Sequence, residues 1–245
     1  MPVKAVIVYK WSRNAADALV RADGSIDWRN AKMAAGEDDP AALAAATQLV
    51  AGSGGELVGL TIGDGDASWA LARGVESTWS VTDVPPLADN ARTAAVLAAA
   101  VRRIGDVDVV VIGDSRQEPG VAAALAGELG WPALVGLQSA TCVDGRVQVT
   151  RRVGDQRQTV VVPTPVVLGV AAEADVDRVP GMKELLAARK RPVNRITLAD
   201  LGTDAGDVST LGCRKPESAP ARVFDGDPTQ AAAQLVAALR AEGVL

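Results

Sequence analysis

The chain is expected to fold as an α/β protein with a mostly parallel sheet and helices on both faces. Three observations predict this. Short β-branched runs recur at residues 5–9, 57–62, 108–113 and 165–170. Uninterrupted apolar runs of that length suit strands buried on both faces. Alanine- and leucine-rich segments with helical spacing lie between several of these runs. Strand and helix alternate roughly every 30 to 50 residues, the rhythm of βαβ units.

The elements follow in order. Ala5-Val6-Ile7-Val8-Tyr9 is the first strand. Asp23-Gly24-Ser25 is a turn between residues 18–21 and 26–28, which predicts a hairpin excursion. Asp39-Pro40 reads as an N-cap and first helical residue, opening a helix over 40–50 that Gly52-Ser53-Gly54-Gly55 stops. A strand at 57–62, a helix near 67–73, a short strand at 80–82 and a long helix at 89–104 come next. A strand at 108–113 leads through a polar loop, Gly113 to Gly120, into a helix at 121–129. Beyond Gly130 the pattern changes. Residues 140–143, 146–153 and 158–162, separated by Asp144-Gly145 and Gly154-Asp155, predict an antiparallel meander. A further buried strand is expected at 165–170. Residues 203–227, rich in Gly, Pro, Asp and Ser, read as an extended arm. A last helix over 228–242 carries Ala232, Leu235, Val236 and Leu239 at helical spacing. The expected organisation is an α/β domain, 1–202, and a C-terminal arm with its helix, 203–245.

Composition narrows the chemistry. The 245 residues are 48% hydrophobic and 22% charged, enough for a packed core. There is no histidine. That removes most hydrolytic triads, most zinc enzymes and the commonest general base. Aromatics are only 3%. The two cysteines, Cys142 and Cys213, stand far apart in no metal-ligand spacing. Cys142 reads as a small core residue, and a reducing cytoplasm is the expected location. A net charge of −5 argues against nucleic-acid binding. No apolar run approaches the roughly 20 residues of a spanning helix, and no secretory leader is expected.

In an open parallel sheet, ligands bind beyond the carboxyl ends of the strands. Four loops leave such ends: 9–13, 36–39, 61–66 and 113–120. The last suits a phosphate, with N–H groups at Val121 and the guanidinium of Arg116; an ordinary strand-to-helix connection fits the same residues. Neither GxGxxG nor GxxxxGK[ST] occurs at a strand-to-helix junction. Glu37, Asp38 and Asp39 suit a magnesium ion, or a helix cap plus solvated acids. Arg189-Lys190-Arg191 suits an acidic partner or a solvated face.

The order of motifs resembles the β subunit of electron transfer flavoproteins over nearly all of residues 3–245. Val6-Ile7-Val8-Tyr9-Lys10 is similar to that family's opening strand and lysine. The hairpin through Lys32-Met33, Ala70-Leu71-Ala72-Arg73-Gly74 and Leu129-Gly130-Trp131-Pro132 are similar to its segments in the same order. Val149-Thr150-Arg151-Arg152-Val153, with Gln158 and Pro165-Val166-Val167, resembles the family signature. Arg178, Ala188-Arg189-Lys190-Arg191-Pro192-Val193 and Asp200-Leu201-Gly202 complete the series.

The resemblance implies a subunit that pairs with a larger α subunit holding most of an FAD. The pair takes electrons from a dehydrogenase and passes them to an acceptor, and this subunit does no bond-making. It also implies a site for AMP, or in bifurcating members a second FAD, at Val8, Gly36, Glu37, Asp38, Asp39, Ile62, Gly113, Asp114, Ser115, Arg116, Gln117, Gly120 and Val121. Here the residues depart from the family. The phosphate loop is shorter, its threonine is missing and Glu118 brings a negative charge. Asp38 and Ala15 stand where the family places rings near its cofactors. These departures resemble a divergent actinobacterial group associated with mycofactocin-dependent dehydrogenases. Partner contacts are implied at Arg178, Met182, Leu185, Arg189, Lys190 and Arg191, with Met182 as the recognition-loop anchor. Two rival readings are a stand-alone nucleotide-binding module of the stress-protein type, and an enzyme using Asp38, Asp39 or Glu118 as acid and base.

Overall fold

The computed structural model describes residues 2–63, 66–84, 89–114, 118–171, 179–204, 208, 211, 212, 214, 216, 217 and 220–245. Its first half contains β1 (Lys4–Val8), β2 (Trp11–Arg13), β3 (Leu19–Val20), β4 (Ile26–Asp27), β5 (Met33–Ala35), α1 (Asp39–Ser53), β6 (Glu56–Ile62), α2 (Ser68–Leu71), β7 (Ser77–Val81) and α3 (Asn90–Ile104). Then follow β8 (Val109–Gly113), α4 (Val121–Leu129), β9 (Ala133–Val143), β10 (Arg146–Val153), β11 (Gln156–Val162), β12 (Val166–Val170), α5 (Met182–Ala188), β13 (Val193–Ile196), α6 (Leu198–Leu201) and α7 (Pro228–Ala241).

Nine strands form one sheet in the order β11-β10-β9-β12-β8-β1-β6-β7-β13. Pairings from β9–β12 across to β7–β13 are parallel, and β9, β10 and β11 pair antiparallel. The α/β fold and the antiparallel meander are therefore as expected. The chain leaves β1 for β6 and β7 on one side, then crosses through α3 to β8 on the other. The order of strands thus reverses at β1 and β8.

The continuous apolar runs are explained by two cores. Ala5 and Ile7 of β1 pack with Leu49 of α1 on one face. Val6 and Val8 pack with Leu97 of α3 and Leu125 of α4 on the other. Alternate side chains point to opposite faces, so a strand covered on both needs apolar residues throughout. Each fully buried Val, Leu or Ile contributes roughly 1.5–3 kcal/mol of transfer free energy. Cys142 sits on β9 within the first core, as expected.

Several boundaries differ from expectation. α3 starts one residue late because Asp89 is its N-cap, its carboxylate accepting from Ala91 N at 2.9 Å. β9 begins at Ala133, well before residue 140, because its first half pairs with β12 and its second with β10. Helix α1 begins at Asp39, and Asp38 takes the N-cap position without a side-chain capping bond. The expected N-cap role of Asp39 is therefore wrong: its carboxylate accepts from Lys10 N and Gly36 N in the loops before the helix. β13 was not expected at all.

The chain divides into two compact units. One holds residues 1–19 and 26–212, including the large sheet; the other holds Val20–Ser25 and Cys213–Leu245. In the second unit the Asp23 carboxylate accepts from Ser25 N and Oγ at 2.9 and 2.6 Å, closing the expected turn. Its helix α7 is capped by Asp227, which accepts from Thr229 N and Gln230 N. No helix among the described residues is long and apolar enough to cross a membrane.

Candidate functional site

A cavity of about 470 Å³ opens at the strand-order reversal. Its walls come from the carboxyl ends of three strands: Val8 and Tyr9 from β1, Ile62 and Gly63 from β6, Ile112 and Gly113 from β8. Crevices of this kind are the usual ligand site of open α/β sheets, and the volume suits a small molecule. Leu97 and Thr93 of α3, Val121 of α4 and Val84 add to it. Gly36, Glu37, Asp38, Asp39, Lys10, Trp11, Ser12 and Glu118 form the polar rim.

Of the residues the sequence pointed to, Val8, Gly36, Glu37, Asp38, Asp39, Ile62, Gly113 and Val121 line this one cavity. Gly120 is the left-handed N-cap residue of α4 and is not part of the lining. Asp114 is not part of it either; its carboxylate accepts from Gly136 N at 2.8 Å and ties β8 to β9. Ser115, Arg116 and Gln117 lie outside the described residues, as does Arg178. Tyr9, Lys10 and Trp11 come from the 9–13 loop already marked as a strand end, and Glu118 is the acid already noted in the 113–120 loop; Leu97 and Ile112 line the cavity without having been singled out. The strand-end rule could have found Ile112, one residue before the end of β8.

One oxygen organises the rim. Asp39 Oδ2 accepts from Lys10 N at 2.7 Å and from Gly36 N at 2.8 Å. It thereby joins the loop after β1 to the loop before α1. Asp39 is buried, 6% exposed. Burial pushes its carboxyl up to about 6; the two N–H bonds oppose this, and the charges of Asp38 and Glu118 reinforce it. Glycine is needed nearby. A Cβ on Gly36 would stand 2.9 Å from Asp39 Oδ2, and one on Gly113 would stand 2.9 Å from Asp38 Cβ.

Two further features frame the cavity. Lys10 Nζ meets Glu118 Oε1 at 2.5 Å across the rim. Tyr9 is buried against Trp69, ring centroids 5.4 Å apart, and burial pushes its hydroxyl well above the ordinary value. It therefore stays protonated. Among the described residues, no cluster of three or more acids, cysteines or histidines is arranged to hold a metal. The magnesium reading of Glu37, Asp38 and Asp39 finds no support there.

The expected partner-contact segment lies elsewhere, on α5 and the chain after it. Met182 is 73% exposed. Leu185 packs against the first core instead. Arg189 forms an ion pair with Asp66 at 3.5 Å, and Lys190 is exposed. Arg191 donates to the carbonyls of Leu71, Val75 and Glu76, pinning the connection between α2 and β7. Arg191→Met keeps the aliphatic stem and removes these bonds. The expected loss is about 1–3 kcal/mol, read as a melting temperature several degrees lower. Faster amide exchange at residues 72–76 should accompany it.

A comparison with protein-family models bears on this fold and cavity together. The model described as "Electron transfer flavoprotein domain" matches residues 29–201, well over half of the chain. That span runs from the segment before β5 to the end of α6 and includes eight strands of the large sheet. The chain is a member of the electron transfer flavoprotein domain family.

Proposed function

We propose that this chain is the β-type subunit of a heterodimeric electron transfer flavoprotein. Its partner is a larger α-type subunit that holds most of the FAD. The pair takes electrons from a dehydrogenase and hands them to a downstream acceptor. FAD, when bound, accepts and releases the electrons. This chain acts as scaffold and docking surface, not as an enzyme. The histidine-free composition is compatible with that role.

Helix α7 carries the heterodimer reading. It is 14 residues long, with Asp227 at its N-cap and Pro228 as its first residue, yet none of its residues is buried. Leu235 is 46% exposed and Val236 37%. Isolated helices of this length are marginal in water, and an apolar stripe needs a surface to cover it. An α-type subunit supplies that surface. The exposed Met182 supports a second contact, with the donor dehydrogenase, because a flexible thioether adapts to varied pockets.

Co-expression with a cognate α-type subunit tests the reading. A yellow complex with equal amounts of both chains is expected, bleached by a reduced dehydrogenase. Removing residues 228–245 should lower the yield of that complex at least about tenfold, equivalent to roughly 1.4 kcal/mol of association. A colourless monomer that ignores every cognate α-type subunit would sink the proposal.

A further inference from the structure

The family resemblance implies an AMP at the strand-order reversal, and the residues present do not fit its phosphate. Among the described residues, the cavity lining holds one cation, Lys10, against four acids: Glu37, Asp38, Asp39 and Glu118. That cation is already engaged, with its Nζ 2.5 Å from Glu118 Oε1. Glu118 itself stands two residues before Gly120, the N-cap of the nine-residue helix α4. An acidic side chain just before a helix answers the partial positive charge that otherwise favours a bound anion. A phosphate arriving there meets a lysine that is taken and carboxylates that repel it. The floor below has a different character. Val8, Ile62, Leu97 and Ile112 offer apolar surface at the ends of the strands and on α3. Such a floor suits the face of an uncharged heterocycle.

We propose that Glu118 is the specificity-determining residue of this cavity. Its carboxylate takes the anion's place on Lys10 ahead of α4, so the cavity accepts an uncharged nucleoside and rejects the corresponding monophosphate. The inference rests on the cavity's residues and on the nucleotide the family resemblance implies there, and it stands or falls separately from the subunit assignment above.

Calorimetry on the full-length chain with adenosine and with AMP, at neutral pH and low salt, tests it. The wild-type chain should bind adenosine at least about tenfold tighter than AMP. Glu118→Gln frees Lys10 and removes one repelling charge. It should raise AMP affinity at least about tenfold relative to adenosine affinity. AMP bound as tightly as adenosine by the wild-type chain overturns the proposal. AMP released in stoichiometric amount on denaturing the purified protein does the same. So does a wild-type chain that binds neither, or a folded Glu118→Gln chain with an unchanged preference. The wild-type comparison stands without the variant, and Glu118→Ala provides a second route should the glutamine chain fail to fold.

Discussion

Asp39→Ala should lower stability by roughly 2–4 kcal/mol, because two backbone N–H groups in a partly buried site lose the acceptor oxygen they share. For a chain of this size that corresponds to a fall of about 5–15 °C in melting temperature. Asp39→Asn should behave in the opposite way above neutral pH. Both bonds go to the same oxygen, Oδ2, so a single amide carbonyl can accept them. The direction with pH follows from the carboxyl. Its ordinary value is 3.8, and in the fold burial pushes it up to about 6. The folded state therefore holds the proton more tightly than the unfolded chain. The stability this provides is complete below about pH 4 and is lost as pH rises through about 6. Asparagine carries no such slope. The variant should match the wild-type chain near pH 4 and exceed it by roughly 1–3 kcal/mol at pH 8. Thermal melts of all three chains at pH 4.5, 6 and 8 check this. An asparagine deficit that widens with pH would show that the ionised carboxylate is required.

Asp39 also marks where sequence reasoning stopped. The central strands were legible because both sheet faces are covered, which forces unbroken apolar runs such as residues 5–9 and 109–112. Helix α3 was legible through apolar residues at helical spacing, of which Ala94, Leu97, Ala98 and Val101 are buried, and its start was misread by one residue because Asp89 caps it. β13 was not, because only Ile196 of its four residues is buried and its pairing partner β7 lies over a hundred residues earlier. An edge strand half open to water carries little period-2 signal. The strand-end rule located most of the cavity, since Val8, Ile62 and Gly113 close their strands there. It could not give Asp39 its role. The acid contacts main-chain N–H groups of residues 10 and 36, and main-chain donors have no side-chain signature. Capping was the local rule available for an acid before Pro40, and a tertiary contact overrode it. The Lys10–Glu118 pair spans 108 positions, so its effect on ligand charge emerges only when β1 and β8 lie side by side.

Gly113→Ala should destabilise the fold by about 1–3 kcal/mol, and the reason lies in the contact between β8 and the start of α1. An added Cβ would stand 2.9 Å from Asp38 Cβ, 3.2 Å from Asp39 Oδ1 and 3.3 Å from the Asp38 carbonyl carbon. None of these is the free end of a flexible side chain. Asp38 is held by the helix it caps, and that helix is anchored through the buried Leu43 and Leu49. The backbone must move, and the rim organised by Asp39 moves with it. Gly127→Ala provides the contrast. Gly127 lies within α4, and apart from its own stretch of helix no atom of the described residues stands within 4 Å of the added methyl. Removing a helical glycine there should stabilise by roughly 0.5–1 kcal/mol. Asp38→Gly isolates the clash itself. It removes the nearest atom at a position where glycine costs a helix cap only a few tenths of a kcal/mol. In the double variant Asp38→Gly/Gly113→Ala, about 1 kcal/mol of the loss should therefore return. Urea denaturation of the four chains measures this coupling. Strictly additive losses would mean that the crowding at Gly113 comes from Asp39 Oδ1 and the main chain of residue 38, not from the Asp38 side chain.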